Sequence, residues 1–178
     1  MTIAEFPLLS PAFERARSLS RLLSTLFAIG FGLTLFYLVV VAFLMVVPLA
    51  KNIGWEDSAL VPLAGSSLGA RVVGAFSLMV GVLPGLFLLV HARRLFGGFA
   101  QGEVFTQQAI GHVRAIGIWL MVSCVATLIA KIGLGAANGD HIEASLRLET
   151  AIYGIATFVA AHVMAEARRI ADENASIL

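Results

Sequence analysis

Long stretches of the chain carry no charge, and the segments between them hold nearly all of its polarity. Residues 22–49 are uncharged over 28 positions. About 20 apolar residues cross a hydrocarbon core of roughly 30 Å, so this run predicts one spanning helix with tilt. It is too long for the apolar region of a signal peptide, typically about 7–15 residues, and no small-x-small cleavage site follows it closely. Residues 72–90 form a second uncharged run with Pro84 inside it. In a membrane, proline kinks a helix without ending it, because neighbouring groups satisfy the freed backbone. Ser77, Gly81 and Gly85 recur every four residues there, a stripe that lets another helix approach closely. The third run, residues 115–130, is bracketed by Arg114 and Lys131. At roughly 1.5 Å per residue it is a little short. Both flanking side chains can lay their stems along lipid and put their charges at the interface. Residues 150–165 form the fourth run.

The segments between the runs carry start and stop signals. Ser10-Pro11 fits a helix start, with serine as the cap and proline at the first helical position. Phe13, Ala16 and Leu23 then share one face, and Glu14, Arg17, Ser18 and Arg21 the other. Residues 1–21 therefore read as an amphipathic segment lying on a membrane surface. Residues 50–70 read as a loop, with Trp55 as an interfacial anchor. The third segment, residues 93–117 (RRLFGGFAQGEVFTQQAIGHVRAIG), is a polar hinge. There Gly97-Gly98 is placed to end the second helix with a left-handed residue. Gly102 allows a turn, and Thr106 caps the third helix. Phe99, Val104 and Phe105 are expected to tuck against the helix ends or the bilayer edge. Gly133, Gly135 and Gly139 mark the next turn, and Asp140 with Glu143 resembles a helix start. The last helix is expected from about His141 to Glu173. Its tail pairs Glu166 with Arg169 and Arg169 with Glu173 at helical spacing, so it can continue as a solvated helix.

Composition sharpens this picture. Hydrophobic residues make up 59% of the 178 residues and charged residues 13%, against roughly 45–50% and about 25% in soluble domains. The excess apolar surface has to face something other than water. The formal net charge of +1 offers no basic stripe, so direct nucleic-acid binding is not expected. The single cysteine, Cys124, lies in an apolar run and reads as a buried, unreactive thiol. Eight of the twelve lysines and arginines fall on one side if the N-terminus, hinge and C-terminal tail share it: Arg15, Arg17, Arg21, Arg93, Arg94, Arg114, Arg168 and Arg169. Lys51, Arg71, Lys131 and Arg147 fall on the other. The excess puts both termini and the hinge in the cytoplasm. That orientation requires an even number of spans, and the four uncharged runs supply it.

The hinge residues Leu95, Phe96, Phe99, Gly102, Glu103, Phe105 and Thr106, followed by Arg114, Ile116 and Gly117, resemble a bacterial family known as domain-of-unknown-function family 2975. Its closing pattern is echoed by Glu166, Arg169, Glu173 and Asn174. The chain departs from the family at residues 175–178, where a threonine-valine ending is usual. The resemblance covers about residues 22–174. It implies a small four-helix membrane protein of no established activity. Members are often encoded beside small helix-turn-helix regulators, which implies, by association, a soluble transcription regulator as partner.

Candidate chemistry is sparse. His91 ends the second helix, His112 opens the third and His162 lies in the fourth. At one depth on neighbouring helices, the three can bind haem axially, hold a metal or relay protons; the plain alternative is three interfacial histidines on different azimuths. Arg93, Arg94, Gly102, Glu103, Phe105, Thr106 and Arg114 form the candidate partner-binding surface, with ordinary positive-inside anchoring as the plain alternative for the arginines. No span has a charge at mid-depth, which disfavours a transporter or pump. Thr34, Ser77, Ser123 and Thr127 need only a carbonyl of their own helix. Asn174-Ala175-Ser176 matches a glycosylation sequon that a cytoplasmic tail leaves unused. No nucleophile–base pair, phosphate loop or metal-binding motif is present, so no enzyme and no cofactor are expected.

The sequence thus predicts an all-α membrane protein of the bacterial inner membrane. It is read as one domain, a four-helix transmembrane bundle spanning at about residues 22–49, 72–92, 111–134 and 148–167, with a cytoplasmic tail over 166–178. The function expected is a non-enzymatic regulatory or interaction protein. The alternatives are a haem- or metal-binding or electron-transfer subunit, and a small transporter or channel subunit. The last would need an oligomer with the small-residue stripes at its interfaces, and a homo-oligomer stands among the expected partners.

Overall fold

The computed structural model describes residues 11–46, 67–103, 105–138 and 147–176. It consists of four helices: α1 (Pro11–Val46), α2 (Leu68–Gln101), α3 (Gln107–Asn138) and α4 (Leu148–Ala175). All four are long and apolar enough to cross a membrane. Trp55, Val104 and the Asp140–Glu143 start signal lie outside the described residues.

Each helix packs antiparallel on the next. Near one end of the α1–α2 pair, Arg17 Nε donates to the Ala100 carbonyl at 2.6 Å. Near the other, Val41 is buried against Ala70, Ala75 and Leu78. Between α2 and α3, Phe87 stacks on Trp119 with ring centroids 4.4 Å apart, and Ser77 meets Gly133. Between α3 and α4, Arg114 lies 5.2 Å over the Phe158 ring, and the buried Cys124 thiol points at the Arg147 carbonyl. Among the described residues only consecutive helices pack extensively, so the bundle is open. Large apolar side chains therefore stay uncovered on the flanking helices, Phe36 at 68% and Ile152 at 63% exposure among them. Each would forgo roughly 1.5–3 kcal/mol in water.

Two glycine contacts set how closely neighbouring helices approach. Gly81 faces Ala130, where an added Cβ would stand 3.0 Å from the Ala130 methyl. The expected small-residue stripe thus carries the α2–α3 seam at Ser77 and Gly81 but not at Gly85, which faces open space. At the α3–α4 seam, Gly117 and Gly154 back onto each other. A Cβ on Gly117 would stand 2.8 Å from Phe158 N and 2.9 Å from the Gly154 carbonyl oxygen.

Several element boundaries differ from expectation. Residues 11–21 continue α1 without a break, because nothing between the amphipathic segment and the apolar run interrupts helical geometry. Helix α2 passes through Gly97-Gly98 and ends at Gln101; Gly102 supplies the left-handed residue instead, and Gly97 faces Ser24 of α1. Helix α3 passes through Gly133 and Gly135. A Cβ at Gly133 would collide with Ser77, so the close approach there requires glycine despite its roughly 1 kcal/mol penalty in a helix. Helix α2 also starts at Leu68, inside the expected loop, with the Ser67 hydroxyl accepting from Ala70 N–H. Pro84 sits inside α2 without ending it, as expected. Thr34, Ser77 and Thr127 donate to carbonyls one turn back in their own helices, also as expected.

Replacing Gly117 with valine forces α3 and α4 apart and costs about 1–3 kcal/mol or more, whereas Gly85→Ala meets no atom. Thermal unfolding in mild detergent is expected to show the first variant melting about 5 °C or more below the parent, with the second unchanged or slightly raised.

Candidate functional site

The hinge is built by satisfying the carbonyls that a helix end leaves unpaired. Gly102 has φ 91°, the left-handed region, where a side chain costs roughly 1–2 kcal/mol. Its N–H donates to Gly98 and Phe99 carbonyls, and Glu103 N–H donates to the Gly98 carbonyl at 3.0 Å. This is the Schellman arrangement of a helix C-terminus. The next carbonyl, Ala100, takes the Arg17 guanidinium, a cation well placed at the negative end of a helix dipole. Four residues past Gly102, the Thr106 hydroxyl accepts from Ala109 N–H at 3.2 Å and starts α3, as expected of its N-cap. The turn between the helices is thus pinned on both sides and tied to α1.

The hinge aromatics divide into two roles. Leu95 is buried. Phe96 stacks on Phe27 of α1 at 5.5 Å, and Phe99 sets its edge on Phe96 at 5.9 Å. Both rings are structural. Phe105 does not tuck in: it is 60% exposed.

Beside the hinge, a cleft of about 740 Å³ opens between α1, α2 and the start of α3. Arg93, Arg94, Gln101, Glu103, Gln108 and His112 line its polar side. Glu103 forms no ion pair with a described residue. The ion pairs among the described residues lie on α4: Glu166–Arg169 at 2.7 Å, Arg169–Glu173 at 3.6 Å and Arg168–Asp172 at 3.5 Å. The first two are those expected from spacing. All are solvated and worth about 0.3–0.5 kcal/mol each. Arg114 turns away from the cleft toward Phe158.

Two of the three candidate histidines meet. His91 Nδ1 and His112 Nδ1 are 3.2 Å apart across the α2–α3 seam. The contact requires one ring to carry its proton on Nδ1 and the other to present a lone pair there. His162 is exposed on α4 and makes no hydrogen bond to either. Among the described residues no three His, Cys, Asp or Glu side chains come together at metal-ligand spacing.

Sequence reasoning missed Arg17, read as the polar face of a surface helix, and Gly154, whose role needs Gly117 opposite it. No local signal marks either. The amphipathic spacing around Arg17 fits a surface helix as well as a cap.

The N-terminal end of α1, the hinge and the C-terminal end of α4 share one end of the molecule. Arg17 reaches Ala100, and Gln107 lines a groove with Ala165, Arg168 and Ser176. Fold and site thus define an all-α protein of four membrane-length helices with a built polar end at the hinge. Residues 48–177 match the family model described as protein of unknown function (DUF2975), and the chain belongs to that family. The match begins beyond α1, later than residue 22, where the resemblance was expected to start. No curated protein and no solved structure shows significant similarity to the chain.

The two caps make distinct predictions. Gly102→Ala strains the turn by roughly 1–2 kcal/mol, and Thr106→Ala costs about 1 kcal/mol. Hydrogen exchange of the Glu103 and Ala109 amides is expected to quicken about fivefold or more in the respective variants, with exchange in the middle of α2 unchanged.

Proposed function

We propose that the protein is a four-span integral protein of the bacterial cytoplasmic membrane that presents its hinge end to the cytosol as a docking surface for a soluble partner. The lysine and arginine imbalance supports this orientation, and the uncovered apolar faces of α1 and α4 support lipid as their surroundings. The observation that carries the docking role is Phe105, displayed on a turn that Gly102 and Thr106 hold in place. Two residues further on, Gln107 lines a groove with the charged side chains of the α4 tail. This combination of a rigid apolar anchor in a charged rim is what protein contacts use. The partner class is a small cytosolic protein such as a helix-turn-helix regulator, and the protein itself carries no chemistry in this role.

A second reading, a membrane cofactor or electron-transfer subunit, draws on the His91–His112 contact. It has less support in its three-histidine form, because His162 is exposed on a different helix face. Axial haem ligands also stand on opposite sides of the macrocycle, whereas these two nitrogens touch.

Purification from native membranes in mild detergent separates the readings. A soluble protein in stoichiometric amount is expected, lost in Phe105→Ala and kept in Ile155→Ala, whose side chain lies away from the hinge on α4. A partnerless preparation contradicts the docking role. A haem absorbance band that disappears in His112→Ala reverses the ranking.

A further inference from the structure

The cleft beside the hinge changes character along its length, and it does so in step on two helices. On α2, Leu89 and Val90 line its inner end, and Arg93 and Arg94 line its outer end about a turn further along. On α1, Phe31 lines the inner end and Ser24 the outer end, about 10 Å apart along the helix axis. The antiparallel packing puts like beside like: Gly30 lies against Leu89, and the Ser24 hydroxyl donates to the Arg93 carbonyl at 3.3 Å. Gly97 and Gly98 line the wall on the hinge side and keep it free of side chains. The result is a slot that is apolar toward the middle of the helices and cationic at the hinge end.

We propose that this slot binds one anionic phospholipid of the cytoplasmic leaflet, with its phosphodiester on Arg93 and Arg94 and an acyl chain against Phe31, Leu89 and Val90. Guanidinium groups bind phosphate oxygens in paired, charge-assisted hydrogen bonds, and neither guanidinium is ion-paired to a described residue. Two arginines and the Glu103 carboxylate leave the slot one positive charge, which a single phosphodiester neutralises. The carboxylate repels a second phosphate and accepts hydrogen bonds from headgroup hydroxyls. The chemistry therefore favours a phosphatidylglycerol-type headgroup over a phosphomonoester. The assignment leaves Phe105 and the α4 tail for the protein partner. It rests on the membrane reading given above.

The test uses the full chain in mild non-ionic detergent, examined by native mass spectrometry with added phosphatidylglycerol, phosphatidylcholine or inorganic phosphate. One phosphatidylglycerol is expected to stay bound with a preference of roughly thirtyfold over phosphatidylcholine, as two interfacial arginines supply. The R93Q/R94Q double variant loses that preference, and R168Q/R169Q keeps it. L89W, which fills the inner slot without changing charge, also releases the lipid. Inorganic phosphate does not displace it. Equal binding of the two lipids by the parent chain overturns the proposal, as does equal loss of preference in the two arginine variants. Displacement by phosphate assigns the slot to a small anion, and displacement by a co-purifying acidic protein assigns it to that protein; either overturns the lipid assignment. Alkaline carbonate extraction of membranes keeps the parent readings apart. A chain released by carbonate contradicts the membrane reading itself. A chain that is retained but shows no lipid preference contradicts only the slot.

Discussion

Among the described residues, four long helices that pack extensively only on their chain neighbours leave much of one another uncovered, and the rest of the structure follows from that. Each inner helix has two partners and each outer helix one, so Phe36 on α1 and Ile152 on α4 are left outside. A soluble chain would have to close the bundle or associate. In the membrane setting proposed above, lipid would remove the need, because apolar side chains lose nothing by facing hydrocarbon. In that setting there is no hydrophobic gain from burying those faces together, and close backbone approach would hold the helices instead. Gly117 against Gly154 and Gly81 against Ala130 are where that approach occurs.

The hinge end is held by specific polar and aromatic contacts. At the hinge end, the last carbonyls of α2 are taken up by Gly102, Glu103 and Arg17, and Thr106 opens α3. Phe27, Phe96 and Phe99 lock α1 to the end of α2. Phe105 stays exposed beside the capped end of α2, and Gln101 and Glu103 form one rim of the cleft lined by Arg93 and Arg94. The family match covers α2 to α4, while α1 supplies the cleft's other wall.

Features that depend on neighbours in sequence were readable, and those that depend on neighbours in space were not. The four uncharged runs, the Thr106 cap, the Gly102 turn, the buried Cys124 and the Glu166–Arg169–Glu173 pairs all express local spacing. Gly97-Gly98 and Gly133 misled because glycine's weak helix propensity yields where another helix needs the space. Arg17 was unreadable as a cap because its acceptor lies 83 residues away. Of the histidines, only His91 and His112 share a seam; equal depth on separate helices does not specify azimuth, and His162 faces elsewhere.

The central claim is that the hinge end lies in the cytosol and the opposite ends of the helices outside. It is tested most directly by labelling single cysteines with a membrane-impermeant maleimide in a Cys124→Ala background. E103C is expected to resist labelling in intact spheroplasts and to react fully in inverted membrane vesicles, with L148C, at the far end, showing the reverse. Labelling of E103C from outside intact spheroplasts, or of both positions from the same side, would contradict the account.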